Sequence, residues 1–199
     1  LPTPPELENE PRTMNRVLSA LLLTAVSLSI FAGQSAQAAG PKLRAFTNET
    51  ARFDALMPAG VTNETIPGKN LVDTEYRSTA HVSGAKFQVR VRVLIPIEID
   101  DKDLLDQYGE SMVEQAEEQY IKAFGQPSSS KRMTQNGSKG KDFTFRISGS
   151  RTRDGKDLVI RRRILFDGQR LYQVIAEGAP SVMDSRQTND FMDSVGPML

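Results

Sequence analysis

Apolar and polar positions alternate strictly through "KFQVRVRV", with Phe87, Val89, Val91 and Val93 on one side and Gln88, Arg90 and Arg92 on the other. A period of two marks a strand with one buried face. The preceding arm runs back through Ser83-Gly84, so the pair predicts an antiparallel hairpin. "ARFDALMP" alternates in the same way at Phe53, Ala55 and Met57 and stops at Pro58, which predicts a first strand; residues 59–70 then read as loop. From about Asp101 to Phe124 the period lengthens. Leu105, Tyr108, Met112, Ala116, Tyr120 and Phe124 recur every three or four residues among acids, predicting an amphipathic helix closed by Gly125 and Pro127.

The period of two returns in the second half. "GQPSSSKRMTQNGSKGK" reads as a polar connection holding a short strand, and "DFTFRIS" as a strand with Phe143, Phe145 and Ile147 on one side. Asp154-Gly155 turns the chain into "VIRRRILFDGQRLY", where Asp167-Gly168 is a strong hairpin signal. A last helix starts at "SVMD", where Ser181 and Asp184 have capping-box spacing, and carries Met183, Phe191, Met192 and Val195 on its apolar side.

Side-chain parity divides the three consecutive arginines. Ile160, Arg162, Ile164 and Phe166 share a face with Leu171, Gln173 and Ile175, whereas Val159, Arg161, Arg163 and Leu165 share the other with Arg170, Tyr172 and Val174. The plain expectation puts Arg161 and Arg163 on the solvated side with their stems across Tyr172. Arg162, among isoleucines, is expected to find a carboxylate or a backbone carbonyl, because an unpaired buried charge costs several kcal/mol. A sharper expectation joins Arg161 and Arg163 to Arg90 and Arg92. If the two hairpins are neighbours with those faces aligned, four guanidinium groups form a patch for phosphate or carboxylate.

"MNRVLSALLLTAVSLSIFAGQSAQAAG" has a basic start at Arg16, an apolar stretch from Val17 to Ala32 and an Ala36-Gln37-Ala38 end, the order of a secretory leader. The apolar stretch is interrupted by serines and threonine and is shorter than a spanning helix needs. Residues 14–38 therefore read as a signal peptide and residues 1–13 as upstream sequence translated by mistake, leaving 39–199 as one α+β domain. Of the 25 basic and 25 acidic residues, Arg12 and Arg16 with Glu6, Glu8 and Glu10 fall before residue 39, so 23 face 22 in the remainder. That balance argues against a nucleic-acid binder. With no cysteine there is no thiol nucleophile, no thiolate metal site and no lipid-modified cysteine, so a periplasmic or secreted protein without a stable membrane anchor is expected.

No pattern carries catalysis. His81 is the single histidine, and no G-x-S-x-G elbow accompanies it. Asp100, Asp101, Asp103 and Asp106 lack the glycine and terminal glutamate of a calcium loop and suit a helix N-terminus. "GSKGK" lacks phosphate-loop spacing and reads as a hairpin turn; Asn48-Glu49-Thr50 and Asn63-Glu64-Thr65 match only the short glycosylation sequon. No cofactor and no metal are expected.

"RFDALMP", "GKDFTFRI" and the closing "LFDGQRLYQVIAEGAP" with "DFMDSV" resemble the PsbP-like and DcrB-like exported proteins over about residues 45–196. The resemblance implies an α+β fold in which an antiparallel β-sheet is covered by amphipathic helices, and a role without enzymatic activity. The expectation is an exported accessory or adaptor module that binds through a sheet face or its loops, with Arg90, Arg92, Arg161 and Arg163 as its binding residues. Its expected partner is another envelope protein or an anionic glycan or lipid. The competing expectations are a hydrolase on envelope substrates, which needs facing acids in a deep pocket near residues 59–70 or 126–141, and a small-ligand carrier with a cavity between helix and sheet.

Overall fold

The computed structural model describes residues 40–68, 73–94 and 101–198. The predicted leader at 14–38, the segment 1–13 and Asp100 lie outside the described residues. Strands β1 (Leu43–Asn48) and β2 (Phe53–Pro58) form a hairpin, and β3 (Thr62–Ile66), β4 (Glu75–Val82) and β5 (Ala85–Val93) follow. Helix α1 (Lys102–Phe124) leads to β6 (Ser129–Gln135), β7 (Ser138–Ile147), β8 (Leu158–Phe166) and β9 (Arg170–Gly178). Helices α2 (Pro180–Met183) and α3 (Arg186–Ser194) and the short β10 (Gly196–Pro197) close the chain.

The strands build an antiparallel seven-stranded sheet in the order β3-β4-β5-β9-β8-β7-β6 and a three-stranded sheet in the order β1-β2-β10. One face of the large sheet, with Phe87, Val89, Val91, Tyr172 and Val174, packs against Phe53, Ala55 and Met57 of β2 and Phe191 and Met192 of α3. Phe87 and Phe191 meet edge to face, 5.2 Å between centroids; each buried ring of this kind removes enough apolar surface from water to contribute roughly 2–3 kcal/mol. The other face, with Phe143, Phe145, Ile160, Ile164 and Phe166, packs under α1. The fold is thus α+β as expected, although a second small sheet shares the covering work with the helices.

Local chemistry explains the element ends. Asp101 caps α1 by accepting from the backbone N–H of Asp103 and Leu104, which settles the aspartate cluster as a helix start. Gly125, at φ 86, closes the same helix where an L side chain would be strained. Asn136-Gly137 and Asp167-Gly168 make the turns between β6 and β7 and between β8 and β9.

Four expectations are corrected. The supposed loop at 59–70 contains β3, whose pairing with β4 is carried by backbone bonds, with Glu64 reaching Arg77, so its polar sequence showed no buried period. β1 precedes the predicted first strand, for the same reason: its side chains are half-buried or exposed. The polar connection after α1 holds the full strand β6, exposed along most of its length at the sheet edge. The single terminal helix is two. Pro180 opens α2, Ser185 adopts an extended backbone (φ −74, ψ 156), and its hydroxyl accepts from Thr188 N–H to cap α3, so Ser181 and Asp184 form no capping box.

Candidate functional site

The strand order decides where the arginines go. β8 pairs with β9 so that Arg162 lies opposite Ile175, and β5 pairs with β9 so that Gln88 lies opposite the same Ile175 and Arg90 opposite Gln173. Because residues opposite one another share a face, Arg90 and Arg92 lie with Arg162 on the α1 face, and Arg161 and Arg163 lie on the other. The four predicted binding residues are therefore divided two and two by the sheet, and the four-guanidinium patch does not assemble.

Arg161 and Arg163 are not on a solvated side either, because α2 and α3 cover it. Arg163 is 4% exposed. It donates from Nε and Nη2 to the two carboxylate oxygens of Asp142, from Nη1 to Met192 O and Gln135 Oε1, and from Nη2 to Asp193. Arg161 donates to Asn189 Oδ1 at 2.6 Å and to Met183 O at 3.3 Å. All three nitrogens of Arg163 and the Nη1 of half-buried Arg161 are used in fastening α2 and α3 to β8 and β7.

Arg162 departs from expectation in the opposite direction. It is 8% exposed, yet no carboxylate or carbonyl among the described residues pairs with it. Its guanidinium lies over the Tyr120 ring at 5.1 Å and the Phe124 ring at 5.3 Å. Those rings come from one face of α1, four residues apart in sequence and so stacked along the helix. The Nε of Arg162 and the hydroxyl of Tyr120 are both buried without a hydrogen-bond partner. Burial raises the Tyr120 pKa even though Arg162 and Arg90 pull against it.

Around this contact the α1 face is polar. α1 packs on β7 and β8, and beyond it β4 and β5 present half-buried Glu75, Arg77, Thr79 and Arg90, buried Gln88 and exposed Arg92. Most cations here have a carboxylate: Arg77 has Glu64 and Glu75, Lys86 has Glu177 at 3.0 Å, and Arg92 has Asp73 at 3.3 Å. Arg90 instead donates from Nε to Gln88 Oε1 at 2.7 Å, and Gln88 donates on to Thr79. Its pKa is lowered, first by burial and then by neighbouring Arg77 and Arg162.

A groove of about 870 Å³ runs between the first half of α1 and the β6–β7 hairpin. Leu105, Val113, Met133, Phe166 and Met198 supply apolar lining, and three ion pairs tie the helix to the hairpin: Asp106–Lys139, Glu110–Arg132 and Glu117–Lys141. His81 is exposed and lies in none of these features.

Sequence reasoning singled out Arg162 as odd but did not connect it with Tyr120 and Phe124. Their four-residue spacing on the predicted helix was the available signal. What it lacked was the strand over which that helix lies.

No protein-family model and no curated protein matches the chain. Among solved structures it is similar to PsbP from the cyanobacterium Synechocystis sp. PCC 6803, with 12% identity, a TM-score of 0.45 and coverage of 78% of this chain and 92% of that one. It is also similar to a protein from Bacteroides thetaiotaomicron VPI-5482, with 9% identity and a TM-score of 0.48 over 78% of this chain and 48% of that one. A third likeness is to PA94, a protein of unknown function from Pseudomonas aeruginosa, with 12% identity, a TM-score of 0.34 and coverage of 74% and 90%. The fold itself is α+β, an antiparallel sheet covered by helices and a small second sheet, and every residue role given to the chain rests on its own geometry.

Proposed function

We propose that this chain is an exported, non-enzymatic accessory module of the periplasm that binds an anionic group of an envelope partner through the polar part of its α1 face. The observation behind this reading is the charge pairing: neighbouring cations there have carboxylates, and Arg90 and Arg162 have none among the described residues. Export rests on the leader-like order of residues 14–38. The hydrolase alternative needs unpaired acids facing each other in a pocket, whereas three of the acids lining the groove, Asp106, Glu110 and Glu117, are each bound to a cation and of the groove's glutamates only Glu114 has none among the described residues.

Native mass spectrometry of the protein recovered from its own periplasm tests the reading, with Arg90→Glu and the exposed control Arg153→Glu alongside. Wild type and Arg153→Glu are expected to retain an added mass that Arg90→Glu loses. A bare wild-type chain, or an added mass unchanged in Arg90→Glu, ends it. The groove favours a second reading, a carrier of a small amphipathic ligand, since its volume lies in the range of ordinary ligand sites. A mass lost from Val113→Trp and kept by Arg90→Glu transfers the function there.

A further inference from the structure

The Arg162 guanidinium carbon lies 5.1 Å from the Tyr120 ring centroid and 5.3 Å from that of Phe124, and its Nε–H is left without a hydrogen-bond acceptor. All five N–H donors of a guanidinium lie in its plane. One of them, Nε–H, is buried with no acceptor, and the Tyr120 hydroxyl on the same contact is buried with none. Two orphaned donors at one place are costly, because each has given up water without a replacement. A carboxylate from the protein would be the ordinary remedy, and none among the described residues supplies it.

Arg90 brings a second cation to the same place. It sits on β5, two strands from β8 and one facing pair out of step with Arg162. That is roughly 10 Å across the sheet and roughly 7 Å along it, a separation over which two arginine side chains can close on one small anion. Gln88 holds the Arg90 Nε, which steadies the side chain and leaves the terminal amino groups available. Planar N–H pairs of this kind match the oxygen spacing of phosphate and carboxylate.

We propose that Arg162, Arg90 and the Tyr120 hydroxyl form a binding site for a small oxyanion, a phosphate or carboxylate group. This rests on the α1-face reading above and names the chemistry that the face recognises. Phe124 and the Tyr120 ring position Arg162; the donors of the three named groups meet the anion. The bound oxyanion supplies the acceptor that Arg162 Nε–H and the Tyr120 hydroxyl lack, and it offsets the mutual repulsion of the two guanidinium groups.

The test follows the arginine Nε–H resonances of the full exported chain in chloride buffer. One arm adds inorganic phosphate, and the other adds dihexanoyl phosphatidic acid below its micelle concentration. The Arg162 and Arg90 signals are expected to move together and saturate. Arg162→Met and Arg90→Met each weaken phosphate binding about tenfold or more, the size of one charge-assisted hydrogen bond, and Arg153→Met leaves it unchanged. Tyr120→Phe, which deletes only the hydroxyl and keeps the ring under Arg162, weakens it several-fold. Equal affinity in the two arms assigns the site to a free anion, and clearly tighter binding of the lipid assigns it to a headgroup.

Silent Arg162 and Arg90 signals in both arms, or a response that persists unchanged in Arg90→Met, overturn the site and leave Arg162 as a stacked structural cation. A silent titration with a partner still retained from the periplasm removes this site and spares the α1-face reading. Saturation without a retained partner does the reverse.

Discussion

Arg163 grips both carboxylate oxygens of Asp142 from inside the sheet, with Nε 2.6 Å from one and Nη2 2.8 Å from the other. Because the same guanidinium also reaches Met192 O and Asp193, one side chain joins β7 and β8 to α3. Asp142→Ala removes the bidentate partner and leaves a buried charge with Asp193 as its one remaining carboxylate. Asp142 is partly exposed, so water recovers some of the loss, and the expected cost is about 1–3 kcal/mol. Urea unfolding at neutral pH measures it; a change within about 0.5 kcal/mol would show that α3 does not depend on this arginine.

Tyr172 gives the fold an alkaline limit. Its pKa is raised by burial first, and then by the Asp167 carboxylate that accepts its hydroxyl proton at 2.8 Å. A raised tyrosine pKa means that the unfolded chain ionises first as pH climbs. The stabilisation is complete below the ordinary tyrosine pKa of about 10 and is lost as pH rises from there toward the folded value. Tyr172→Phe is expected to cost about 1–2 kcal/mol at pH 7 through the lost hydrogen bond and to flatten the decline above about pH 10. Denaturation midpoints at pH 7 to 11 decide it, and an equally steep decline in the variant refutes the assignment.

The two serines at the end of the chain separate the broken terminal helix from the continuous one. Ser185 caps α3, and α2 has no side-chain cap. Ser185→Ala is expected to cost about 1 kcal/mol, and Ser181→Ala close to nothing. Thermal unfolding of the pair suffices, and the opposite ranking would restore the capping box at Ser181.

At Gly109 two effects of opposite sign compete. Alanine in mid-helix gains about 1 kcal/mol in propensity, but a Cβ there would lie 2.5 Å from Phe166 Cδ1, closer than atoms tolerate. Phe166 is packed edge-on against Tyr108 and cannot simply swing aside. Steric overlap of this kind costs about 1–3 kcal/mol, so Gly109→Ala is expected to be destabilising overall; a rise in thermal stability would mean that α1 lifts freely from β8.

Retaining Arg162 has a cost in stability. Methionine keeps the length and apolar contact with Tyr120 and Phe124 while removing a desolvated charge, so Arg162→Met is expected to gain about 1–2 kcal/mol in oxyanion-free buffer. Phosphate should narrow that gap by stabilising wild type alone. A variant less stable than wild type in chloride would make the arginine a structural asset.

Strand parity around the arginines was legible because it is covalent: alternate side chains leave a strand on opposite sides wherever that strand goes. Thus Arg162 was correctly separated from Arg161 and Arg163, and Phe87, Val89 and Val91 were correctly placed inward. β1 and β3 escaped notice, and β6 was read only as a short strand, because all three lie at sheet edges with polar or half-exposed side chains, so pairing of their backbones left no apolar period to read.

The amino-acid order by itself determined the turns at Ser83-Gly84 and Asp167-Gly168, the long amphipathic helix and the face each side chain takes within its own strand, whereas the "GSKGK" read as a turn mostly belongs to β7, behind a turn at Asn136-Gly137. Tertiary structure alone decided which faces coincide. Lys86 and Glu177, 91 residues apart, are neighbours because β5 inserts beside β9, and that insertion sets Arg90 with Arg162 and away from Arg161 and Arg163. The physical reason is that alternation is a property of each bond along the chain, whereas strand adjacency comes from burying two apolar faces at once, one under α1 and one under β2 and α3.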